Sequence, residues 1–124
     1  MNHFTIDAKL PSLNDVISSN RSNRFMGAKL KKEIQEEIGL YIRIAALHGD
    51  VIPQGHKCTL SITWHEKTKK RDVDNIQSAQ KFILDAMVEQ GILEDDSRKY
   101  VAQIYHQIVD DTRDYVEVYI NDCL

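Results

Sequence analysis

Two aspartates separated by a single residue, Asp72 and Asp74, form the strongest chemical signal in the chain. Residues two apart in extended backbone point to the same face, so these carboxylates would lie within a few ångströms of each other. Two carboxylates held that close repel each other unless a cation lies between them. Mg²⁺ binds such hard oxygen ligands and commonly combines one or two carboxylates with water and substrate phosphate. The pair therefore predicts a site for a divalent metal ion.

Three basic residues, Lys69, Lys70 and Arg71, directly precede the first aspartate. Positive charge beside the metal would attract a phosphate-rich substrate. The combination therefore indicates metal-dependent chemistry on a phosphodiester. Taken singly, the acids also fit an ordinary structural interpretation, because aspartate commonly caps helices and occupies turns.

Lys81 follows Asp74 by seven residues, or two helical turns, and would face the same side as the start of that helix. From there its ammonium group could stabilise negative charge on a phosphate or a leaving oxygen. The alternative is a solvated helix lysine that pairs with Asp85, four residues further on. Spacing alone leaves both interpretations open.

A second acidic pair, Asp95 and Asp96, follows the predicted helix after Gly91. A helix of about sixteen residues is roughly 24 Å long, and the segment 91–96 is too short to return along it. Either the helix is shorter than its pattern predicts, or acids from two subunits meet in one site.

The overall composition is ordinary for a globular domain, with 124 residues and a formal net charge of −3. The charge is unevenly distributed: residues 1–32 carry six basic and two acidic residues, whereas residues 85–124 carry three basic and ten acidic ones. A basic surface on an acidic body can bind a polyanion in a salt-sensitive way. No apolar leader and no run of eighteen apolar residues is found, which predicts a cytoplasmic protein without a membrane span.

Hydrophobic periodicity predicts an α+β fold in a single domain covering residues 1–124, with a mixed sheet packed with two helices. Strands are predicted at residues 4–10, 58–64, 99–109 and 115–120, and helices at residues 25–48 and 74–91, in the order β-α-β-α-β-β. The polar stretch 11–23 is predicted to be a loop. This order places one acidic pair at each end of the second helix.

The ordered motifs resemble the RusA family of Holliday junction resolvases, which are often encoded by phages and prophages. The resemblance rests on Arg71-Asp72-Val73-Asp74-Asn75, Lys81-Phe82-Ile83-Leu84-Asp85, Gly91-Ile92-Leu93, Asp95-Asp96 and the early Pro11-Ser12-Leu13-Asn14. These correspond to the family's DxDN motif, a helix carrying K-x-x-x-D, a glycine, a DD pair and an opening Pro/Ser/Asn loop. The match covers most of the chain.

The resemblance implies a homodimeric, Mg²⁺-dependent crossover junction endodeoxyribonuclease, with Mn²⁺ able to replace Mg²⁺. It would cut four-way DNA junctions by paired symmetric nicks in recombination and repair, in a bacterial or phage-infected cell. Asp72, Asp74 and Asp96 would be metal ligands, and Lys81 the catalytic lysine. Phosphate contacts are predicted for Arg21, Arg24, Lys29, Lys31, Lys32, Lys69, Lys70 and Arg71.

Several points stay open. Ser78 would take the lysine position if a shorter family spacing applied, and Lys81 is preferred because its interval to Asp85 keeps the motif's own spacing. The third ligand could be Asp95 or Asp96, from either subunit, with one or two metal ions. Two other functions also fit: a nuclease acting on other branched or single-stranded DNA, and a non-catalytic phage DNA-binding protein.

Overall fold

The computed structural model describes residues 2–22 and 24–122, without the side chains of residues 19, 20, 22, 24 and 25. The described residues form four helices and four strands. In chain order they are β1 (Asn2–Ile6), α1 (Leu13–Ser22), α2 (Arg24–Leu47), β2 (Cys58–Glu66), α3 (Val73–Gln77), α4 (Gln80–Glu89), β3 (Val101–Asp110) and β4 (Tyr115–Asp122). The predicted α+β class, the four strands and the long first helix are confirmed. The first strand is shorter than predicted, since it ends at Ile6 rather than at residue 10.

The four strands form one mixed sheet in the spatial order β1-β4-β2-β3. Strand β4 is antiparallel to both of its neighbours, whereas β2 and β3 run parallel. Parallel neighbours need a crossover connection, and the segment containing α3 and α4 provides it. The two acidic motifs therefore lie at the two ends of this crossover.

The alternating pattern of β2 reflects its central position in the sheet. Leu60, Ile62 and Trp64 are buried, and the last two pair in register with Val118 and Val116 of β4. The helices close the core with Ile34, Ile38 and Ile42 of α2 and with Phe82, Ile83 and Met87 of α4. Each fully buried side chain of this kind contributes about 1.5–3 kcal/mol, so the core fixes the position of α4.

The loop predicted at residues 11–23 is wrong for most of its length, because residues 13–22 form α1. The Ser12 hydroxyl accepts a hydrogen bond from the Asp15 amide at 3.2 Å, and the Asp15 carboxylate accepts one from the Ser12 amide at 2.8 Å. This reciprocal pair is a capping box with aspartate in the place usually taken by glutamate. Its Ser-x-x-Asp spacing is a helix-start signal that the polar composition conceals.

The helix predicted at residues 74–91 is two helices, α3 and α4, separated at Ser78 and Ala79. The Ser78 hydroxyl donates a hydrogen bond of 2.7 Å to the Asn75 carbonyl and so competes with the backbone ladder. Helix α4 has ten residues and is about 15 Å long. The sequence predicts two helices, whereas the described residues form four. Helix α1 is missed because its sequence is polar, and the predicted second helix is divided at Ser78.

Glycine follows the C-terminal ends of both α2 and α4, as the sequence predicts. Gly49 and Gly91 each adopt a φ of +76°, a conformation that glycine reaches without steric cost. After Gly91 the Ile92 amide donates back to the Met87 carbonyl at 2.9 Å, which is the Schellman closure. This reversal turns the chain back along α4. None of the helices in the described part of the chain is both long and apolar enough to span a membrane.

Candidate active site

The acidic motif lies at the start of α3. Asp72 is the N-cap residue, in extended backbone with φ −73° and ψ 157°, and Asp74 lies in the first helical turn. The Asp72 carboxylate makes no capping hydrogen bond, and both residues are exposed. Among the described residues neither carboxylate has a hydrogen-bond or ion-pair partner. Both are therefore available to a ligand that takes oxygen donors.

A set of hydrogen bonds ties this acidic segment to the start of α1. The Asn14 side-chain amide donates to the Asn75 side-chain oxygen at 2.8 Å, and the Leu13 amide donates to the Ser78 hydroxyl at 3.0 Å. These bonds hold the start of α1 against α3, so the asparagine and serine residues position the aspartates. Ser78, the alternative for the lysine position, is engaged in this bonding with both Leu13 and Asn75.

A buried ion pair supports the segment between β2 and α3. The Arg71 guanidinium donates to both Glu66 carboxylate oxygens, with its Nη2 2.9 Å from each, and its Nη1 donates to the Leu10 carbonyl at 2.8 Å. The Arg71 and Glu66 side chains are only 17% and 6% exposed. Arg71 therefore anchors the chain immediately before Asp72, while its predicted phosphate contact stays a prediction. The sequence does not identify Glu66 as the partner of Arg71, because Glu66 follows the alternating part of β2.

Lys81 lies at the start of α4 between two carboxylates. Its Nζ is 3.0 Å from Asp85 Oδ1 and 3.4 Å from Asp96 Oδ2. The hydrogen bond to Asp85 is the main cause that raises the pKa of Lys81 above its ordinary value, and the charge of Asp96 adds to it. The lysine is therefore cationic at neutral pH while its side chain remains 52% exposed.

The second acidic pair returns to this lysine within the same chain. Asp96 contacts Lys81 directly, whereas the Asp95 carboxylate accepts a hydrogen bond of 2.8 Å from the Asp96 amide. The sequence leaves two explanations open, a shorter helix or a site shared by two subunits. The structure has the shorter helix, since α4 has ten residues. The contact needs no second subunit, because the reversal after Gly91 brings the acids back along α4.

The structure thus brings Lys81 and Asp96 together and leaves Asp72 and Asp74 as a separate pair at α3. Among the described residues, no three or more His, Cys, Asp or Glu side chains gather closely enough to hold a metal ion. A three-acid site is therefore not assembled in this arrangement. The two free carboxylates at α3 alone match the one or two that hydrated Mg²⁺ commonly uses.

The residues predicted to contact phosphates are mostly exposed: Arg21, Lys29, Lys31, Lys32, Lys69 and Lys70. The side chain of Arg24 lies outside the part of the chain that the structure describes. Lys29 lies 4.0 Å from Glu33, and Lys69 lies 3.6 Å from Asp110. Exposed pairs of this kind contribute roughly 0–1 kcal/mol, so they do not prevent a lysine from binding phosphate instead.

We expect Asp85→Asn to lower the pKa of Lys81, since the hydrogen bond to the ionised Asp85 is the largest cause of the upward shift. A lysine whose pKa is higher in the folded protein than in the unfolded chain contributes stability at pH values below its unfolded-state pKa. This contribution is lost as the pH rises through the folded-state pKa. An NMR titration of the Lys81 Nζ signal measures the change. Asp110→Asn, which removes the partner of Lys69, is the control and should leave Lys81 unchanged. An equal Lys81 pKa in Asp85→Asn and wild type would contradict the assignment.

The family model described as endodeoxyribonuclease RusA matches residues 6–121, nearly the whole chain. The match spans the acidic motif, Lys81 and the second acidic pair. A comparison with curated proteins found no matching relative.

Proposed function

The chain belongs to the RusA family of endodeoxyribonucleases, whose activity is Holliday junction resolution, and on this premise we propose that it is a Mg²⁺-dependent, structure-selective nuclease. It would cut four-way DNA junctions by paired symmetric nicks in two opposed strands. Its setting would be DNA recombination and repair in the cytoplasm of a bacterial or phage-infected cell. The observation that carries the proposal is the contact of Lys81 with Asp96, 3.4 Å apart, in a chain that also holds two free carboxylates.

The donor chemistry of the acidic motif fits a hard divalent ion. Nucleases of this family depend on a divalent metal, and Asp72 and Asp74 offer exposed carboxylate oxygens that no described protein cation neutralises. Mg²⁺ accepts one or two such ligands and completes its shell with water and phosphate. We propose that these two residues hold the ion, with Mn²⁺ able to replace it, and that Asp96, which contacts Lys81, joins them as the third ligand when the ion and the DNA bind. A bound ion of this kind would polarise the scissile phosphate and activate a water molecule.

Lys81 has a separate task in the proposed site. Its ammonium group is cationic at neutral pH, and about half of its side chain is exposed to an incoming strand. A fixed cation there offsets the negative charge that develops on the phosphate and the leaving oxygen. Asp85 orients the ammonium group through the 3.0 Å hydrogen bond. The Gln35 amide donates to the other Asp85 oxygen at 3.4 Å, so this orientation depends on α2.

The basic residues outside this centre would bind the DNA backbone. Phosphate contacts fix the register of a protein on DNA without reading its sequence. We propose these contacts for Arg21, Arg24, Lys29, Lys31, Lys32, Lys69 and Lys70, with Arg71 adding to the local positive field while it anchors the chain. A four-way junction has near two-fold symmetry, so a two-fold homodimer would present one centre to each of two opposed strands.

A substrate panel tests this function against its nearest alternative. The protein is incubated with Mg²⁺ and equal concentrations of a four-way junction, a fork, a flap and a single strand, all at one salt concentration. The proposal predicts faster cutting of the junction than of every other substrate. Preferential cutting of flaps, forks or single strands would replace junction resolution with another branched-DNA nuclease activity. Cutting of none would favour a non-catalytic DNA-binding protein.

The two acids of the second pair should differ in their effect on cutting. We expect Asp96→Asn to lower the cleavage rate about 100-fold, because it removes the carboxylate beside Lys81. Asp95→Asn should lower it less than about fivefold, since Asp95 only accepts the Asp96 amide and an asparagine oxygen can do the same. Single-turnover cleavage of a labelled junction measures both. The reverse order of effects would make Asp95 the functional acid.

A further inference from the structure

A groove lies between α4 and β3, beside the proposed centre. It is lined by Gln80 and Leu84 of α4, by Ala102, Ile104 and His106 of β3, and by Asp96 and Arg98 of the connecting segment, among others. Strand β3 is at the edge of the sheet, so no further strand of the described sheet pairs with its outer side. Because Asp96 lines it and Gln80 directly precedes Lys81, a DNA strand at the proposed centre would extend into this groove.

A chain of hydrogen bonds connects the core to this groove. The Trp64 indole Nε1 is 3.0 Å from His106 Nδ1, and His106 Nε2 is 2.8 Å from Gln80 Oε1. The Trp64 and His106 rings are also nearly parallel, at 12°, with centroids 6.0 Å apart. Trp64 is 1% exposed, so the first member of the chain is held rigidly by the core.

The direction of this chain follows from the chemistry of its first donor. An indole N–H can only donate, so His106 Nδ1 must be the acceptor and carry no proton. The ring proton of a neutral His106 is then on Nε2, which donates to Gln80 Oε1. Burial lowers the pKa of His106, which favours this neutral form. The Gln80 oxygen therefore accepts from His106, and the side-chain NH₂ group is directed away from that ring.

On the basis of the proposed nuclease function, we propose that the Gln80 NH₂ group binds a phosphate oxygen of the DNA strand in this groove. His106 and Trp64 are then positioning residues that fix the orientation of the Gln80 amide. Among the described residues the Gln80 NH₂ group has no hydrogen-bond partner. Lys81 directly follows Gln80 in the chain, and Arg98 lines the same groove, so two cations near Gln80 offset the charge of Asp96, which also lines it.

A phosphate fits this site better than a base does. A glutamine that reads adenine uses its oxygen and its NH₂ group together, and the Gln80 oxygen keeps a second lone pair beside the bond from His106. The backbone is favoured because roughly half to two-thirds of protein–DNA hydrogen bonds go to phosphate and sugar, and because the next residue, Lys81, is proposed to face the scissile phosphate. The contact would fix the position of the strand next to Lys81 without imposing a sequence preference.

DNA binding without metal tests the contact separately from catalysis. Gln80→Glu keeps an oxygen for the His106 N–H but replaces the NH₂ donors with a carboxylate oxygen. We expect it to weaken junction binding in EDTA about tenfold. Gln103→Glu is the matched control, because Gln103 also lines the groove and the charge change is identical. It should weaken binding about twofold or less, and both variants should melt like wild type.

Junction binding in EDTA also distinguishes failure of the Gln80 contact from failure of the proposed nuclease function. If wild type binds junctions and Gln80→Glu binds equally well, or if both glutamate variants weaken binding equally, the Gln80 contact is wrong while the nuclease function stands. If wild type binds no branched DNA, the proposed function fails and the contact fails with it. A loss confined to one junction sequence would indicate a base contact and overturn the phosphate assignment.

The positioning role has its own readout in the ring nitrogens of His106. Nitrogen-15 NMR at pH 7 should show the neutral Nε2–H form in wild type, because Trp64 donates to Nδ1. In Trp64→Phe the indole donor is lost, and the Nδ1–H form should become populated, with weaker DNA binding. A predominantly Nδ1–H or doubly protonated His106 in wild type would overturn the positioning role, even if Trp64→Phe did not fold.

Discussion

Replacing Asp74 with asparagine is expected to lower the rate of junction cleavage at least about 100-fold, with the fold unchanged. The amide keeps the shape of the side chain but removes the negative charge that a divalent ion needs. Because Asp74 is exposed and has no partner among the described side chains, its loss should shift the melting temperature by only about one or two degrees. Single-turnover cleavage and thermal melting measure the two effects.

A remote charge change provides the control for this variant. Glu36→Gln removes one negative charge from the exposed surface of α2 and should leave cleavage within about twofold of wild type. A titration with Mg²⁺ should show that Asp74→Asn needs a higher metal concentration than wild type for its remaining activity. Equal metal dependence and equal rates in Asp74→Asn and wild type would remove Asp74 from the metal site.

The largest effect on stability is expected from Arg71→Met. The variant leaves the Glu66 carboxylate, which is 6% exposed, without the guanidinium that pairs with it. Breaking a buried pair by removing one partner costs about 3 kcal/mol at the lower end of the usual range, which corresponds to a fall in melting temperature of roughly 10 °C. Thermal unfolding followed by circular dichroism measures it.

Two further variants identify the cause of that loss. Lys70→Met changes the neighbouring exposed cation and should melt within about two degrees of wild type. The double variant Glu66→Leu/Arg71→Met removes both charges and should recover much of the stability, since an apolar pair avoids an unpaired buried charge. A melting temperature for Arg71→Met close to that of Lys70→Met would show that the ion pair does not anchor this segment.

The sequence predicts those parts of the fold in which local pattern and tertiary packing agree. Strand β2 alternates because one face meets the core, and Gly49 and Gly91 end helices because the chain must reverse there. Helix α1 is missed, since its apolar residues are few and its start depends on a capping box between Ser12 and Asp15. The division of the second helix is missed because it depends on one serine hydroxyl.

The residues of the candidate site also fall into those that local sequence pattern indicates and those that only the assembled fold brings together. Asp72 and Asp74 can be proposed as a metal-binding pair from residue type and spacing, whereas spacing alone leaves Lys81 open between a catalytic and a surface lysine. The sequence does not show that Asp96 contacts Lys81 within one chain, because this contact requires α4 to be shorter than its hydrophobic pattern predicts. Partners that are distant in sequence, such as Leu10 for Arg71 or Trp64 and His106 for Gln80, become visible only once the sheet and the helices are assembled. Spacing rules carry no information about contacts of this kind.

The most direct test of the proposed function is the cutting pattern on a synthetic four-way junction with fixed arms. Each strand is end-labelled in turn and incubated with the protein and Mg²⁺, and Asp74→Asn is run in parallel. We predict nicks at symmetric positions in two opposed strands with wild type, and almost none with the variant. Absence of paired nicks with wild type, or the same nicks from Asp74→Asn, would contradict the assignment of this chain as a metal-dependent junction resolvase.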